Sequence, residues 1–278
     1  METNYATFIK KAQLEYSHRP DLVERLLCDR LDWTKSDLIY HLQDNVPKTI
    51  QEQFFKDFEK LKQGVPLQYI VGKEWFYGRE FMVTKDTLIP RPETELLVEQ
   101  VLNRIPIDAQ IKVLDIGTGT GIIGLTIKLE RPNSLVDMVD ISKEALCVAT
   151  HNAKQLHADV HCFESDVCSS VTEQYDVIVS NPPYISHDEV CDMDDSVLQY
   201  EPHLALFAQN NGYAIYEVLA KQLPAVLAKN GCVLLEIGYQ QAEKLKKLFQ
   251  QSFPDKYISV LKDYMGLDRM LIIEERRI

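Results

Sequence analysis

The stretch Tyr175-Asp176-Val177-Ile178-Val179-Ser180-Asn181-Pro182-Pro183-Tyr184 decides the fold of this chain. Its first half is rich in β-branched residues, which predicts a strand buried in a parallel sheet. Two consecutive prolines then end the strand and turn the chain outward. Because open α/β sheets hold their ligands at the carboxyl ends of their strands, we expect the residues after Val179 to face a ligand.

The residues of that turn carry groups that suit a planar NH2 group. Asn181 has a side-chain carbonyl, and Pro182 and Pro183 have backbone carbonyls without a competing N–H. Tyr184 adds a flat aromatic face. We expect all four residues to bind the substrate, with Asn181, Pro182 and Tyr184 taking part in catalysis. A rigid structural turn without chemistry is the alternative interpretation.

Composition limits the class of protein. The chain has 278 residues, 45% of them hydrophobic, which allows one large or two modest domains with a sizeable core. Its net charge of −12 argues against a surface built to hold nucleic-acid phosphates and favours protein or small-molecule partners. The six cysteines form no C-x-x-C pair, so we expect neither a zinc ribbon nor a disulfide framework.

The start of the chain predicts a cytoplasmic location. Met1-Glu2-Thr3-Asn4 forms no basic region ahead of an apolar one, as a signal peptide would. No apolar run approaches the roughly 18 residues that a membrane span needs, so we expect no membrane association.

Periodicity divides the chain into three parts. Residues 1–64 repeat apolar positions at helical spacing, which predicts a small helical bundle. Gly and Pro residues then separate short runs, Gln68–Val71 and Glu80–Val83, that are typical of hairpin strands. From Ile111 onward strand and helix patterns alternate, which predicts βαβ units and a parallel sheet. An antiparallel pair near the end of the chain is expected to close the edge of this sheet.

The segment Asp115-Ile116-Gly117-Thr118-Gly119-Thr120-Gly121 joins the first strand of the sheet to its first helix. Its glycines let the backbone turn tightly and approach a ligand. The spacing does not match the G-x-G-x-x-G of dinucleotide sites, so a nicotinamide cofactor is disfavoured. Asp140 ends the second strand 23 residues after Gly117, where an acid can accept both hydroxyls of a ribose. Loop and acid together predict an adenosine-bearing ligand; a structural turn with a helix-capping Asp is the alternative.

Other polar residues give weaker indications. Asp166 follows the third strand, where its carboxylate could accept from an adenine amino group or cap a turn. Arg91 lies between two prolines, so its guanidinium is either aimed at a ligand or paired with Glu93 or Glu95. The His and Cys residues lack metal-ligand spacing, and there is no nucleophile elbow, so we expect neither a metal site nor a hydrolytic triad.

Taken together, these motifs resemble those of the class I S-adenosylmethionine-dependent methyltransferases that act on planar nitrogens. The chain is also similar to the HemK/PrmC family, the glutamine-N5 methyltransferases of peptide chain release factors, in several further segments. These are Gly64–Gly72, Leu88–Glu95, Glu201-Pro202 with Ala205-Leu206, and Glu236-Ile237-Gly238 with Gln240-Gln241. Two positions depart from the family: Val167, where an aromatic residue is common, and Ala208-Gln209-Asn210, where relatives tend to have glycines.

The resemblance implies a Rossmann-like α/β fold with a mostly parallel seven-stranded sheet and a small N-terminal helical bundle joined by a β-hairpin linker. It implies a substrate-recognition domain at residues 1–65, the linker at 66–90 and the methyltransferase domain at 91–278. The cofactor would be S-adenosyl-L-methionine, with S-adenosyl-L-homocysteine as product. The residues that the resemblance assigns to cofactor binding are Gly117, Thr118, Gly119, Thr120, Gly121, Asp140, Ile141, Asp166, Val167 and Asn181.

The implied reaction is methylation of the N5 amide nitrogen of the glutamine in the Gly-Gly-Gln motif of class 1 release factors. The implied partners are these proteins, and no direct nucleic-acid specificity is expected. An N6-adenine or other nucleic-acid amino methyltransferase stays an alternative, because the same Asn-Pro-Pro-Tyr chemistry serves the exocyclic amines of bases. Such an enzyme should carry a basic recognition region, whereas this chain is acidic. A non-catalytic adaptor that binds a partner through the helical bundle is a further alternative.

Overall fold

A computed structural model describes residues 3–276 of the protein. Residues 1, 2, 277 and 278 lie outside the described residues. The outer limits of the predicted domains, and the first residues on which the predicted location rests, fall among them. The described residues up to Lys73, together with Asp194–Tyr200, form one compact unit, and Glu74–Met193 with the residues from Glu201 onward form a second. None of the described helices is both long and apolar enough to cross a membrane.

The first unit is helical, as the apolar periodicity predicts. Its helices are α1 (Tyr5–Glu15), α2 (Pro20–Leu31), α3 (Lys35–His41), α4 (Lys48–Lys62), α5 (Leu67–Val71) and, from later in the chain, α9 (Asp195–Tyr200). Thr34 Oγ1 accepts from Asp37 N, and Thr34 N donates to Asp37 Oδ2 at 2.8 Å, which forms a capping box at the start of α3. Phe54 and Phe58 stack within the core of the unit. The predicted helical bundle is confirmed.

The prediction of a strand at Gln68–Val71 is wrong, because this run forms α5. Leu67 and Ile70 are buried three positions apart, which a helix satisfies and a strand does not. Gly72 then ends the helix in the left-handed conformation. The hairpin lies just beyond, between β1 (Lys73–Phe76) and β2 (Arg79–Met82), where Tyr77 and Gly78 both adopt the positive φ of a tight two-residue turn.

The second unit contains the predicted α/β sheet. Its strands are β3 (Lys112–Ile116), β4 (Leu135–Asp140), β5 (His161–Glu164), β6 (Tyr175–Ser180), β7 (Leu227–Glu236), β8 (Tyr257–Lys262) and β9 (Asp268–Glu274). Its helices are α6 (Glu93–Leu102), α7 (Ile122–Glu130), α8 (Lys143–Gln155), a 3-10 helix (His187–Asp192), α10 (His203–Leu206), α11 (Gln209–Gly212), α12 (Ala214–Val226) and α13 (Ala242–Ser252). The strand order is β5-β4-β3-β6-β7-β9-β8, and the pairs that β9 makes are antiparallel. The predicted mostly parallel seven-stranded sheet is confirmed.

Successive side chains of the central strands pack alternately into two hydrophobic cores, one on each face of the sheet. Val113 packs in the core that contains residues of α6, α7, α8 and the hairpin, whereas Leu114 packs in the core beneath α12 and α13. The sheet is therefore buried on both faces, as its continuous apolar runs require. The strand order reverses between β3 and β6, and this reversal opens a crevice at their carboxyl ends.

Candidate functional site

A cavity of about 380 Å³ lies at the carboxyl ends of the parallel strands, and its volume is typical of small-ligand sites. The structure brings most of the predicted site residues to it. The predicted residues that line it are Gly117, Thr118, Gly119, Thr120, Asp140, Ile141, Asp166, Val167, Asn181, Pro182 and Pro183. Gly121 and Tyr184 are the two predicted site residues that do not line it.

The glycine loop is tied to the neighbouring strand β4 by its own backbone. The N–H groups of Gly117 and Thr118 both donate to the Val139 carbonyl, at 2.9 and 3.0 Å. Gly119 adopts a φ of +56° and donates its N–H to Asp140 Oδ2 at 2.9 Å. Any other residue at position 119 would be strained, because residues with a Cβ rarely adopt this φ. Loop and acid therefore form one preorganised element.

Asp140 keeps capacity to bind a ligand. Its second oxygen, Oδ1, accepts from Ser142 N at 2.9 Å. A carboxylate offers about four lone-pair sites, so the side chain can still accept from a ligand hydroxyl beside these backbone donors. Burial raises the pKa of Asp140, while the backbone donors of Ser142, Gly119 and Ile141 oppose the rise. The neighbouring Ile141 side chain adds an apolar surface to the cavity, with 48% of it exposed.

Val167 has a backbone conformation that the sequence does not reveal. Its φ is +52°, which is uncommon for a β-branched residue, and the residue is buried at the cavity wall. The turn is fixed on both sides: Ser169 N donates to the Asp166 carbonyl at 3.0 Å, and Cys168 N donates to Gln222 Oε1 at 2.7 Å. Strained residues of this kind concentrate at ligand sites. Asp166 lies in the same turn, with an exposed side chain.

Asn181 follows β6 directly, and its side-chain amide has a fixed orientation. Its Nδ2 donates to Thr94 Oγ1 at 3.2 Å, and the Thr94 hydroxyl donates to Glu236 Oε2 at 2.8 Å. Because the nitrogen end of the amide is engaged in this chain, the Oδ1 end is the acceptor that can serve a ligand. Thr94 lines the cavity beside Asn181.

Glu236 is a buried carboxylate at the end of β7. Burial raises its pKa to about 7, and the charge of Glu93 adds to the rise. The Thr94 hydroxyl, the Arg269 guanidinium and the Tyr184 hydroxyl favour the charged form and therefore limit this rise of the pKa. A carboxylate in such surroundings titrates near neutral pH, which is characteristic of functional sites.

Tyr184 supports the turn from behind. Its ring packs against the core beneath α12 and α13, and its carbonyl accepts from Gln241 Nε2 at 3.0 Å. Burial, and next the charge of Glu236, raise the pKa of its hydroxyl to about 12. In this arrangement Tyr184 does not offer the expected aromatic face to the cavity.

The loop that departs from the family at Ala208-Gln209-Asn210 closes without the expected glycines. Asn210 and Asn211 both adopt a φ of +55°, and Asn tolerates this region better than most residues. Gly212 follows with a φ of +82°, and a Cβ there would overlap the Tyr184 carbonyl oxygen. Close approach at Gly212 is therefore needed to keep the Asn-Pro-Pro-Tyr turn in place.

Arg91 pairs with Glu201, which excludes the alternative that it pairs with Glu93 or Glu95. Its Nη2 lies 2.6 Å from Glu201 Oε1, and Ile89 N donates to Glu201 Oε2 at 3.1 Å. Glu201 is buried, while Arg91 lines the cavity. The pair joins two segments that both contribute lining residues, one before α6 and one after Glu201.

Sequence reasoning missed Thr94, Glu236 and the role of Glu201. The segments Leu88–Glu95 and Glu236-Ile237-Gly238 attract attention through the family resemblance, but no local pattern shows which partners their polar groups have. The available signal was Glu236 itself, an acid that directly continues the apolar run of β7. Such a position predicts a buried carboxylate in need of a partner.

Asp115, at the start of the glycine loop, is fully buried. Its Oδ2 accepts from Thr118 Oγ1 at 2.6 Å and from Gly124 N at 3.0 Å. Its Oδ1 has no hydrogen-bond partner among residues 3–276. Burial raises the pKa of this carboxyl to about 6, and the charge of Asp140 adds to the rise. The two donors shape the loop at the cost of a desolvated carboxylate.

Comparisons with known proteins match the chain over nearly its full length. The family model of the methyltransferase small domain matches residues 92–199, and that of the PrmC N-terminal domain matches residues 6–72. A release factor glutamine methyltransferase of Enterococcus faecalis is 40% identical over 272 residues, which cover 98% of this chain and 97% of that relative. One of Lactococcus lactis is 46% identical, covering 78% of this chain and 80% of that relative.

Among solved structures, a T. thermophilus 16S rRNA N2 methyltransferase in complex with AdoMet and guanosine has a TM-score of 0.53. It is 18% identical, and the match covers 73% of this chain and 50% of that one. At this identity the likeness shows the methyltransferase fold alone.

We predict that Asp115→Asn changes how stability depends on pH. The folded pKa of about 6 exceeds the ordinary value of 3.8, so between these values the folded protein keeps a proton that the unfolded chain releases. The contribution of Asp115 to stability is therefore fully present below about pH 4 and is lost as pH rises through 6. Urea unfolding should show the wild type losing about 3 kcal/mol relative to the variant across this window. Parallel stability curves would contradict the raised pKa.

Proposed function

The chain belongs to the release factor glutamine methyltransferase family, and from this we propose that it methylates the N5 amide nitrogen of the Gly-Gly-Gln glutamine in class 1 release factors. The observation that carries the proposal is the Asn181 amide at the cavity, with Nδ2 engaged by Thr94 and Oδ1 left to accept. A planar NH2 group is the donor that this acceptor and the adjoining proline carbonyls suit.

The residues of the cavity fit S-adenosylmethionine as the methyl donor. Asp140 would accept from the ribose hydroxyls, and the Gly117–Gly121 loop would allow the amino-acid part to lie close to the backbone. Ile141 and Val167 give apolar surfaces for the adenine, with Asp166 as the acceptor for its amino group. When bound, the cofactor supplies a methyl group on a positively charged sulfur.

The protein's own task is to make a poor nucleophile react. The lone pair of a glutamine amide nitrogen is delocalised into its carbonyl. If Asn181 Oδ1 and the Pro182 carbonyl accept the two N–H bonds, they fix the amide and stabilise the positive charge that develops on nitrogen. No general base is needed before transfer, because the methylated nitrogen is strongly acidic and loses its proton afterwards. Pro183 and Tyr184 keep the turn rigid in this account.

The helical residues 1–65 would recognise the release factor, and residues 91–278 would catalyse the methyl transfer. Residues 66–90 would form the linker between these two domains. The match of residues 6–72 to the PrmC N-terminal domain supports this division. Translation termination takes place in the cytoplasm, where we expect the protein to act.

The nucleic-acid alternative has the shared fold and the shared Asn-Pro-Pro-Tyr motif in its favour. The T. thermophilus rRNA enzyme resembles this chain at 18% identity, whereas the release factor enzymes resemble it at 40% and above over most of the chain. A net charge of −12 also disfavours a phosphate-rich substrate.

We predict that the protein transfers label from methyl-labelled cofactor to a release factor, and that changing the Gly-Gly-Gln glutamine to alanine abolishes the transfer. Peptide mass mapping of the product should place the methyl group on that glutamine. Label that survives the glutamine change would contradict the proposed target. A matched reaction with total RNA or DNA as acceptor tests the alternative directly.

Asn181→Ala should cut turnover on the release factor by on the order of 10²-fold or more, because one preorganised contact to developing charge is lost. Cofactor affinity, measured by calorimetry on the same sample, should stay within a few-fold of wild type. Normal turnover would remove Asn181 from the reaction.

Asp140→Ala should weaken cofactor binding by roughly 1–3 kcal/mol through the lost ribose contacts. Asp108→Ala is a suitable control, since it removes an exposed carboxylate outside the cavity. Equal affinity of the two variants in calorimetry would exclude Asp140 from the cofactor site.

A further inference from the structure

We propose that Thr94 and Glu236 are positioning residues for methyl transfer: their hydrogen-bond chain fixes and polarises the Asn181 amide so that Oδ1 accepts from the substrate. This inference rests on the proposed function of the cavity. It adds two residues that touch neither the substrate amide nor the methyl donor in the account above. Both act through Asn181.

The sheet brings the three residues together. Ser180 of β6 pairs with Leu235 of β7, so the next residues, Asn181 and Glu236, leave adjacent parallel strands at the same level. The first turn of α6 places the Thr94 hydroxyl between them. Thr94 is 1% exposed and Glu236 is 2% exposed, so water does not compete for these hydrogen bonds.

The hydrogen-bond chain from Asn181 through Thr94 to Glu236 selects one orientation of the Asn181 amide. An ionised carboxylate only accepts hydrogen bonds, so the Thr94 hydroxyl must donate its single proton to Glu236. The Thr94 oxygen can then only accept, and the group of Asn181 that faces it must be Nδ2. The flipped amide would place Oδ1 against an oxygen with no proton to give, which leaves two acceptors in contact. Glu236 thereby determines, over two hydrogen bonds, that Oδ1 serves the substrate.

The same chain should make Oδ1 a stronger acceptor. Hydrogen bonds in series polarise one another, and this series ends in a negative charge inside a dry part of the protein. Donation from Nδ2 toward that charge shifts electron density onto Oδ1. The substrate N–H becomes more acidic as positive charge develops on nitrogen, so the stronger acceptor counts most in the transition state.

Groups from several elements determine the charge of Glu236. Arg269 of β9 and the Tyr184 hydroxyl favour ionisation, whereas Glu93 of α6 and burial oppose it. The Tyr216 hydroxyl of α12 donates to the backbone carbonyl of Glu236 at 2.7 Å and fixes the end of the strand. Arg269 is itself bound to Asp263, through Nε at 3.2 Å and Nη2 at 3.1 Å, so it is only partly available to neutralise Glu236.

Three variants test the chain. Thr94→Val removes the hydroxyl at constant shape, Thr94→Ser keeps it, and Glu236→Gln removes the charge. The matched control is Thr126→Val in α7, because Thr126 is equally buried and its hydroxyl meets no partner among the described residues. Each variant is assayed on the release factor for kcat and KM, by calorimetry for cofactor affinity and by thermal unfolding.

Thr94→Val and Glu236→Gln should lower kcat by about 10- to 100-fold, as misplacement of a reacting group does. KM for the release factor and cofactor affinity should stay within a few-fold of wild type. Thr94→Ser should recover most of the turnover, and Thr126→Val should keep it. If Thr94→Val fails to fold, Glu236→Gln decides the question, because it removes the charge at the end of the hydrogen-bond chain and keeps the Thr94 hydroxyl.

The pH dependence of kcat/KM separates polarisation from mere support, because kcat/KM reports the ionisation of the free enzyme. With a folded pKa of about 7, Glu236 ionises as pH rises through neutrality, so wild-type kcat/KM should climb between about pH 6 and 8 and then level. Glu236→Gln cannot ionise, so its kcat/KM should lack this climb.

Two results would overturn the inference. One is wild-type kcat in both Thr94→Val and Glu236→Gln; the other is a loss of kcat that tracks the loss of thermal stability or cofactor affinity. A wild-type protein that does not methylate the release factor would instead contradict the proposed function. The assay of the wild-type protein therefore distinguishes failure of the proposed function from failure of this inference.

Discussion

The parallel pairing of β3 with β6 is the constraint on which the site depends. Ile116 pairs with Ser180, so the glycine loop and the Asn-Pro-Pro-Tyr turn leave the sheet side by side. The strand order reverses between these two strands, and the helices that follow them lie on opposite faces of the sheet. The crevice between the two loops is thus a consequence of topology. A shift of one residue in this register would separate the glycine loop from the Asn-Pro-Pro-Tyr turn.

Two buried carboxylates shape the site in different ways. Asp115 accepts from Thr118 and Gly124 and so determines the path of the glycine loop, although its other oxygen has no partner among residues 3–276. Glu236 lies behind Asn181 and gives the amide its orientation through Thr94. Burial raises the pKa of both acids, which means that each costs folding free energy when ionised near neutral pH. Charges kept at such a cost are expected where a reaction develops positive charge, and a methyl transfer to nitrogen does so.

The sequence predicts what local pattern controls, and it does so well where the pattern is long. β3, α7 and β4 follow one another as the alternation from Ile111 onward predicts, because apolar strand runs there alternate with helical spacing. The run Gln68–Val71 was misjudged because four apolar and polar residues satisfy either period. The left-handed conformation of Val167 has no local signal, since the turn is fixed from a distant helix by the hydrogen bond that Cys168 N donates to Gln222 Oε1. Thr94 and Glu236 are 142 residues apart in the sequence. Only the folded structure, in which α6 packs beside the end of β7, shows that they form a hydrogen bond.

We propose that Asn181 Oδ1 accepts from the amide that is methylated, with Nδ2 held by Thr94. A crystal structure of the protein with S-adenosylhomocysteine and a Gly-Gly-Gln peptide, at high enough resolution to assign the amide, would test this. We expect the glutamine nitrogen within hydrogen-bond distance of Asn181 Oδ1 and the Pro182 carbonyl, facing the sulfur, with the hydrogen bonds from Asn181 through Thr94 to Glu236 intact. A glutamine amide seated elsewhere in the cavity, or an Asn181 amide with Oδ1 against Thr94, would contradict it.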